Sequence, residues 1–258
     1  MLPVKIYSDQ LIKVSMVGSE GKVMNKFSNT EQHLGSVLIL YISLLVFFHH
    51  VIFEDYTYLP ADTLASHSWE TLEKDAEKEG IVPLWNPYIF CGMPLLASVT
   101  MDKTDTWYND TIAWTWGKVH VGLSYLFVKQ DIGQWLTLYL IYAFGVYLLA
   151  YHLFKIKPIA IIVALAALYS TRVINLIMIG HYTKLAVLCW FPYIFLFVIK
   201  AQSSKQWWWY LIGLIVVLHL MFSAGHVQYI YYIYLSLIAY FLYIVGYKCV
   251  KSWHSSRR

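Results

Sequence analysis

Hydrophobic and polar positions alternate in long blocks rather than at the short periods of a soluble fold. Six blocks are apolar over most of their length: Gly35–Phe53, Gly133–Phe154, Pro158–Met178, Lys184–Ile199, Trp207–Ala224 and Tyr229–Tyr247. A helix needs about 20 such residues to cross the hydrocarbon of a bilayer, so the pattern predicts six transmembrane helices. Two are irregular. Ser170, Thr171 and Arg172 interrupt the third, and the short fourth contains Pro192.

Between the first two blocks lies a polar stretch of different character. Twelve of the fifteen Asp and Glu residues fall between Glu54 and Asp131, and none follows Asp131. The expected class is an all-α polytopic membrane protein whose first outer loop, 54–132, carries short interfacial helices. Residues 1–34 form a cytoplasmic segment, 35–247 the transmembrane module, and 248–258 a cytoplasmic tail.

Composition agrees. Hydrophobic residues make up 59% of the 258 and charged ones 13%, half the usual share of a soluble domain. With a cytoplasmic N-terminus, the inside segments hold twelve of the nineteen Lys and Arg residues, and each short inner loop is basic. N-in, C-in follows. The net charge of +4 comes from these membrane flanks and gives no reason to expect nucleic acid. The first apolar block follows 34 residues and no small-x-small cleavage site follows it, so it reads as a signal anchor. Cys91, Cys189 and Cys249 are isolated and imply no disulfide framework.

Within the loop, a helix is predicted from Ser68 to Glu79, with Ser68 as N-cap, Gly80 as terminator and Trp69, Leu72 and Ala76 on one face. A second interfacial helix is predicted over Tyr108–Val128, where Lys118 and His120 argue against a full crossing. The intervening Pro83-Leu84-Trp85-Asn86-Pro87-Tyr88-Ile89-Phe90-Cys91-Gly92-Met93-Pro94 holds too many prolines for regular structure. It either packs on the helix ends or lines a substrate site through Trp85 and Asn86.

Chemistry has few places to sit. Glu54 and Asp55 mark the exit of the first span, and Asp62 follows in an extended, proline-preceded stretch. Asp102-x-x-Asp105 is a weak divalent-cation motif; no other cofactor is indicated. Arg172 lies deep in the third span, where a charge is costly unless it faces a polar cavity or partner. Gly180-His181-Tyr182-Thr183-Lys184 and Gly225-His226-Val227-Gln228 link spans three to four and five to six, on the same outer side as the acidic loop. Cations there suit a lipid phosphate; the alternative is that Lys184 snorkels and Arg172 caps a broken helix. His219 and His226 are seven residues apart, about 10 Å along a helix, too far to share an ion. The tyrosine stripe Tyr229, Tyr232, Tyr240, Tyr243 and Tyr247 predicts helix packing, and Trp207-Trp208-Trp209 an interfacial anchor.

Several of these strings together resemble the bacterial YfhO family of polytopic membrane proteins, grouped with the GT-C glycosyltransferases. The carrying residues are Ala61-Asp62-Thr63-Leu64-Ala65-Ser66, the 83–94 string, Gly180–Lys184, and Ala224–Gln228 followed by Tyr231-Tyr232. The resemblance implies a polyprenyl-phosphate-linked sugar donor, a cell-envelope glycan or lipid acceptor, and transfer on the outer face of the bacterial cytoplasmic membrane. It implies Asp62 as general base by position, with Glu54 or Asp55 in reserve, and membrane lipid as surroundings. Family members are usually longer, so a fragment, a second chain completing the bundle, or an inactive shortened homologue are further expectations. A non-catalytic, flippase-like export component is the other functional expectation.

Overall fold

The computed structural model describes residues 29–54, 56–58, 70–81, 85–87, 91–94 and 111–256. Contacts divide the chain into Met1–Gly35 and Ser36–Arg258. In the first unit only residues 29–35, the start of a helix, are described.

Nearly all described residues are helical. In chain order the elements are α1 (Asn29–Phe47), α2 (His49–Phe53), α3 (Glu70–Glu79), β1 (Trp85–Asn86), β2 (Met93–Pro94), α4 (Thr111–Ser124), α5 (Gln130–Phe154), α6 (Lys157–Leu168), α7 (Thr171–Ile179), α8 (Tyr182–Leu188), α9 (Phe191–Ser203), α10 (Trp207–Ser223) and α11 (Val227–Ser256), with a 3-10 turn at Tyr125–Phe127.

Among the described residues, three helical stretches are long and apolar enough to cross a membrane: Asp131–Phe154, Tyr182–Ser203 and Val227–Tyr247. The pair α6 and α7 passes as a fourth, bent by 41°. The predicted first and fifth spans fall short as continuous rods. His33–Phe47 stops at the turn before α2, and Trp207–Ser223 has 17 residues, about 26 Å at 1.5 Å per residue against about 30 Å of hydrocarbon.

Helix α5 is the centre of the core. Leu136, Tyr139, Ala143 and Tyr147 are buried at helical spacing. Ala160, Ala164 and Leu168 repeat every fourth residue along the facing stripe of α6, where small side chains let the backbones approach. Leu40, Leu44, Phe48 and Ile52 give α1 and α2 one buried stripe. Each large tyrosine takes its hydroxyl to a partner, as burial in an apolar core demands. Tyr139 donates to the Val173 carbonyl (2.7 Å) and Tyr193 to the Ile141 carbonyl (2.8 Å), while Tyr147 accepts from Ser36 (3.1 Å). Gly145 leaves room for the Tyr193 ring, which would meet a Cβ there at 2.5 Å.

Both irregular spans are broken where the polar residues and proline fall. The third breaks at Tyr169–Ser170, and Ser170 is the extended N-cap of α7. In the fourth, Pro192 is near the start of α9 and cannot bond or fit against the carbonyl four residues back at Leu188. Helix α8 accordingly ends at Leu188, and a two-residue turn precedes α9.

The helices of the 54–132 segment follow their sequence signals closely. α3 ends at Gly80 (φ +68°), where Ile81 reaches back to the Ala76 carbonyl (3.0 Å) in the manner of a glycine C-cap. Ala76 is buried; Ser68 and Trp69 lie outside the described residues. The 83–94 string departs from expectation, because part of it does form regular structure. Trp85 pairs with Pro94 and Asn86 with Met93 in a minimal antiparallel ladder. Its closeness depends on Gly92 (φ +112°), where any Cβ would sit 2.5 Å from the Trp85 ring. The tyrosine stripe also departs: Tyr232, Tyr243 and Tyr247 are exposed, and α11 buries little beyond Ile230 and Ile233. Trp207–Trp209 are exposed, as an interfacial anchor would be.

Candidate functional site

The two Gly-His turns come together. Gly180 (φ +91°) closes α7, and both its amide and that of His181 bond to the Leu176 carbonyl (3.1 and 2.8 Å). One turn later the Lys184 ammonium lies 2.9 Å from Nδ1 and 3.1 Å from Nε2 of His181. An ammonium only donates, and a neutral imidazole offers one lone pair, so one of these contacts is bonded at a time. In the second turn, Gly225 (φ +77°) leads into His226, whose Nδ1 accepts from the Tyr229 amide at 3.4 Å. That contact leaves the proton on Nε2. Partial burial, and after it the Lys184 ammonium, hold His226 below the usual histidine range. The junction therefore sets the Lys184 ammonium beside a His226 whose charged form is disfavoured.

Directly next to it is a cavity of about 370 Å³. Arg172, Ser170, Tyr142, Tyr229, Tyr232 and Ser236 supply its polar groups, and Leu188, Phe191 and Ile233 are among its apolar walls. Two features link turn and cavity. Tyr229 bonds to His226 and also lines the cavity; Gln228 donates to the hydroxyl of the cavity-lining Tyr232 (3.0 Å). Both broken spans end here, since Ser170 and Arg172 begin α7 and Leu188 and Phe191 flank the break between α8 and α9. Irregular backbone at membrane depth is tolerated where it lines a polar cavity. Val173 and Ile174 bond back to the Ser170 carbonyl (2.9 and 3.0 Å), and Arg172 stands in the first turn of α7, the positive end of that helix. A cation, a helix N-terminus and five hydroxyl-bearing side chains in an otherwise apolar chamber fit an anionic head group on an apolar chain.

Helix α4 packs against the same end of the bundle. His120, 6% exposed, faces the Gln134 carbonyl through Nε2 (3.0 Å), and the Tyr182 hydroxyl lies 3.4 Å from its Nδ1. A carbonyl only accepts, so Nε2 carries the proton and Tyr182 donates to Nδ1. Trp116 stacks on the imidazole at 5.6 Å and meets Trp190 edge-on at 4.9 Å. Burial holds His120, which lies outside the spanning helices, below its ordinary 6.5. The unfolded chain then binds a proton that the folded one refuses, so the stability His120 contributes is complete above about pH 6.5 and falls as pH drops below it. We expect the thermal midpoint in detergent to fall between pH 7.5 and 5.5, and to fall less in His120→Gln. Equal slopes in the two proteins would remove His120 as the cause.

The carboxylates stand apart from this junction. Glu54 is exposed, pairs with His50 (2.9 Å), and its backbone carbonyl accepts from the Lys129 ammonium. It does not line the Arg172 cavity. Asp55, Asp62, Asp102 and Asp105 lie outside the described residues. Trp85, 55% exposed, and Asn86, 2% exposed, are held in the β1–β2 ladder and do not line the cavity. Of the predicted site residues, Arg172 lines the cavity, His181, Lys184 and His226 meet at the junction beside it, and Gln228 reaches it through Tyr232, while Glu54, Trp85 and Asn86 lie elsewhere. Tyr142, Tyr182, Ser170 and Ser236 join the site without having been singled out, because hydroxyls in apolar helices look like ordinary packing until the helices are assembled.

No family model matches the chain, and no curated protein or solved structure is similar to it at a significant level.

Proposed function

We propose that this chain is a multi-pass membrane protein that binds a polyprenyl-phosphate-linked sugar in the Arg172 cavity and takes part in its transfer. In the proposed topology of six spans with both termini cytoplasmic, the junction and the 54–132 loop share the outer face of a bacterial cytoplasmic membrane. The observation that carries the reading is a cavity lined by Arg172 and hydroxyls at the bend of the third span and the Pro192 turn of the fourth, with the two Gly-His turns beside it. The first-loop carboxylate Asp62 is the proposed base that takes the acceptor's proton as the phosphate leaves under cationic stabilisation. The resemblance to the YfhO family points the same way, and the acceptor is a cell-envelope glycan or lipid.

A second reading has its own observation. Half-helices that end at a cavity near the membrane midplane are also how transporters build binding sites, so a lipid-phosphate export component uses the same cavity without a base. Asp62→Asn separates the two. In membranes supplied with a labelled polyprenyl-phosphate hexose, transfer predicts that Asp62→Asn keeps donor binding and loses release of the sugar. If sugar release continues at the wild-type rate, Asp62 is not the base. If wild type releases no sugar yet binds the donor, the export reading takes its place.

A further inference from the structure

At the exit of the first apolar helix, α1 ends at Phe47 and α2 restarts at His49. On a continuous helix two consecutive residues point about 100° apart. Across this break the rings of His49 and His50 instead lie 3.8 Å apart at 38°. One turn on, the Glu54 carboxylate approaches His50 Nδ1 at 2.9 Å. One donor atom from each of the three residues lies within 4.8 Å of the others, and all three side chains are exposed.

We propose that His49, His50 and Glu54 form a binding site for a divalent transition-metal ion of the zinc type. Three observations support it. His50 Nδ1 and the Glu54 carboxylate, 2.9 Å apart, are within about 0.5 Å of the roughly 3.0–3.4 Å that separates adjacent donors around an ion with bonds of about 2.1 Å. His49 donates its Nδ1–H to the Val46 carbonyl at 2.9 Å, which leaves Nε2 with its lone pair. A backbone carbonyl on the far nitrogen is the usual outer-shell partner of a metal-bound histidine. The third is that the two rings lie 3.8 Å apart beside the carboxylate, whereas an exposed His50–Glu54 ion pair is worth little and needs no second imidazole.

Two imidazoles and one carboxylate select zinc, nickel, copper or cobalt over magnesium and calcium, and three protein ligands leave a position for water. The Lys129 ammonium on the Glu54 carbonyl keeps positive charge close by and weakens the site to that of an exchangeable ion. Glu54, engaged here, is then no longer a free base, and that role rests on Asp62. The proposal itself stands apart from the lipid-phosphate reading.

The test uses the whole purified chain in detergent, titrated with Co²⁺ and followed by its visible absorption, then displaced with Zn²⁺. One equivalent should bind. His49→Ala, His50→Ala and Glu54→Gln should each weaken binding at least about tenfold, while His152→Ala, at the far end of α5, should not. All three ligands are exposed, so the variants should keep the wild-type elution profile. Arg172→Ala should bind Co²⁺ as wild type does, which keeps this result separate from lipid binding. Absence of saturable binding in wild type, or binding undiminished when all three ligands are replaced, overturns the site.

Discussion

Arg172→Ala is expected to lower the affinity for a polyprenyl phosphate by about 100-fold. A charge-assisted bond to phosphate in a partly dehydrated cavity contributes roughly 2–3 kcal/mol, and each 1.4 kcal/mol is tenfold. Arg172 lines the cavity beside the start of α7, so its loss leaves only the helix end and hydroxyls to hold the charge. Arg172→Lys should fall between the two, because an ammonium keeps the charge and loses the planar fork. Titration of the purified chain with polyprenyl phosphate, beside the uncharged polyprenol, measures this directly. The polyprenol should bind wild type and Arg172→Ala alike, since the apolar walls Leu188, Phe191 and Ile233 are unchanged. Equal phosphate affinity in the two proteins would place the head group elsewhere.

Gly133→Ala is expected to dislodge α4 from α5. A Cβ at Gly133 would stand 2.2 Å from the Ser124 carbonyl oxygen and 3.0 Å from its carbon. These are backbone atoms and cannot turn aside, so the helix end must move. Overpacking of this kind costs about 1–3 kcal/mol. It also pulls His120 from the Gln134 carbonyl and the Leu126 carbonyl from the Tyr41 hydroxyl that donates to it (2.6 Å). The thermal midpoint should drop, and the fluorescence of Trp116 should change as its stack on His120 opens. Gly117 and Gly122, on α4 itself, have open space where a Cβ would go. Alanine at either should be neutral or stabilising by up to about 1 kcal/mol, from helix propensity alone. If Gly133→Ala matches those two controls, the close approach does not matter for stability.

Much of the site was legible residue by residue. Arg172 announced itself because a charge inside an apolar block has few tolerable environments. The Gly-His turns did so because glycine before a polar residue ends a helix, and counting spans put both on one side. The His49–His50–Glu54 cluster carried a signal too, in the i, i+4 spacing of His50 and Glu54, although the stacking of His49 on His50 depends on the break at Phe48. The ladder at Trp85–Asn86 was missed because proline count argues against strands, while two residues with Gly92 between them suffice for a hairpin.

By itself the sequence determined the helical class, the irregular points of spans three and four, and the glycine stop at Gly80, because these follow from local sterics and hydropathy. Only the tertiary structure decided that the two breaks face one cavity, that α4 closes on Tyr182 through His120, and that α11 leaves most of its tyrosines uncovered. Those outcomes depend on which helix faces which, a choice made by pairwise fit such as Gly133 against Ser124 and Gly145 against Tyr193. Apolar helices resemble one another in hydropathy, so such fits leave no periodic trace in the chain.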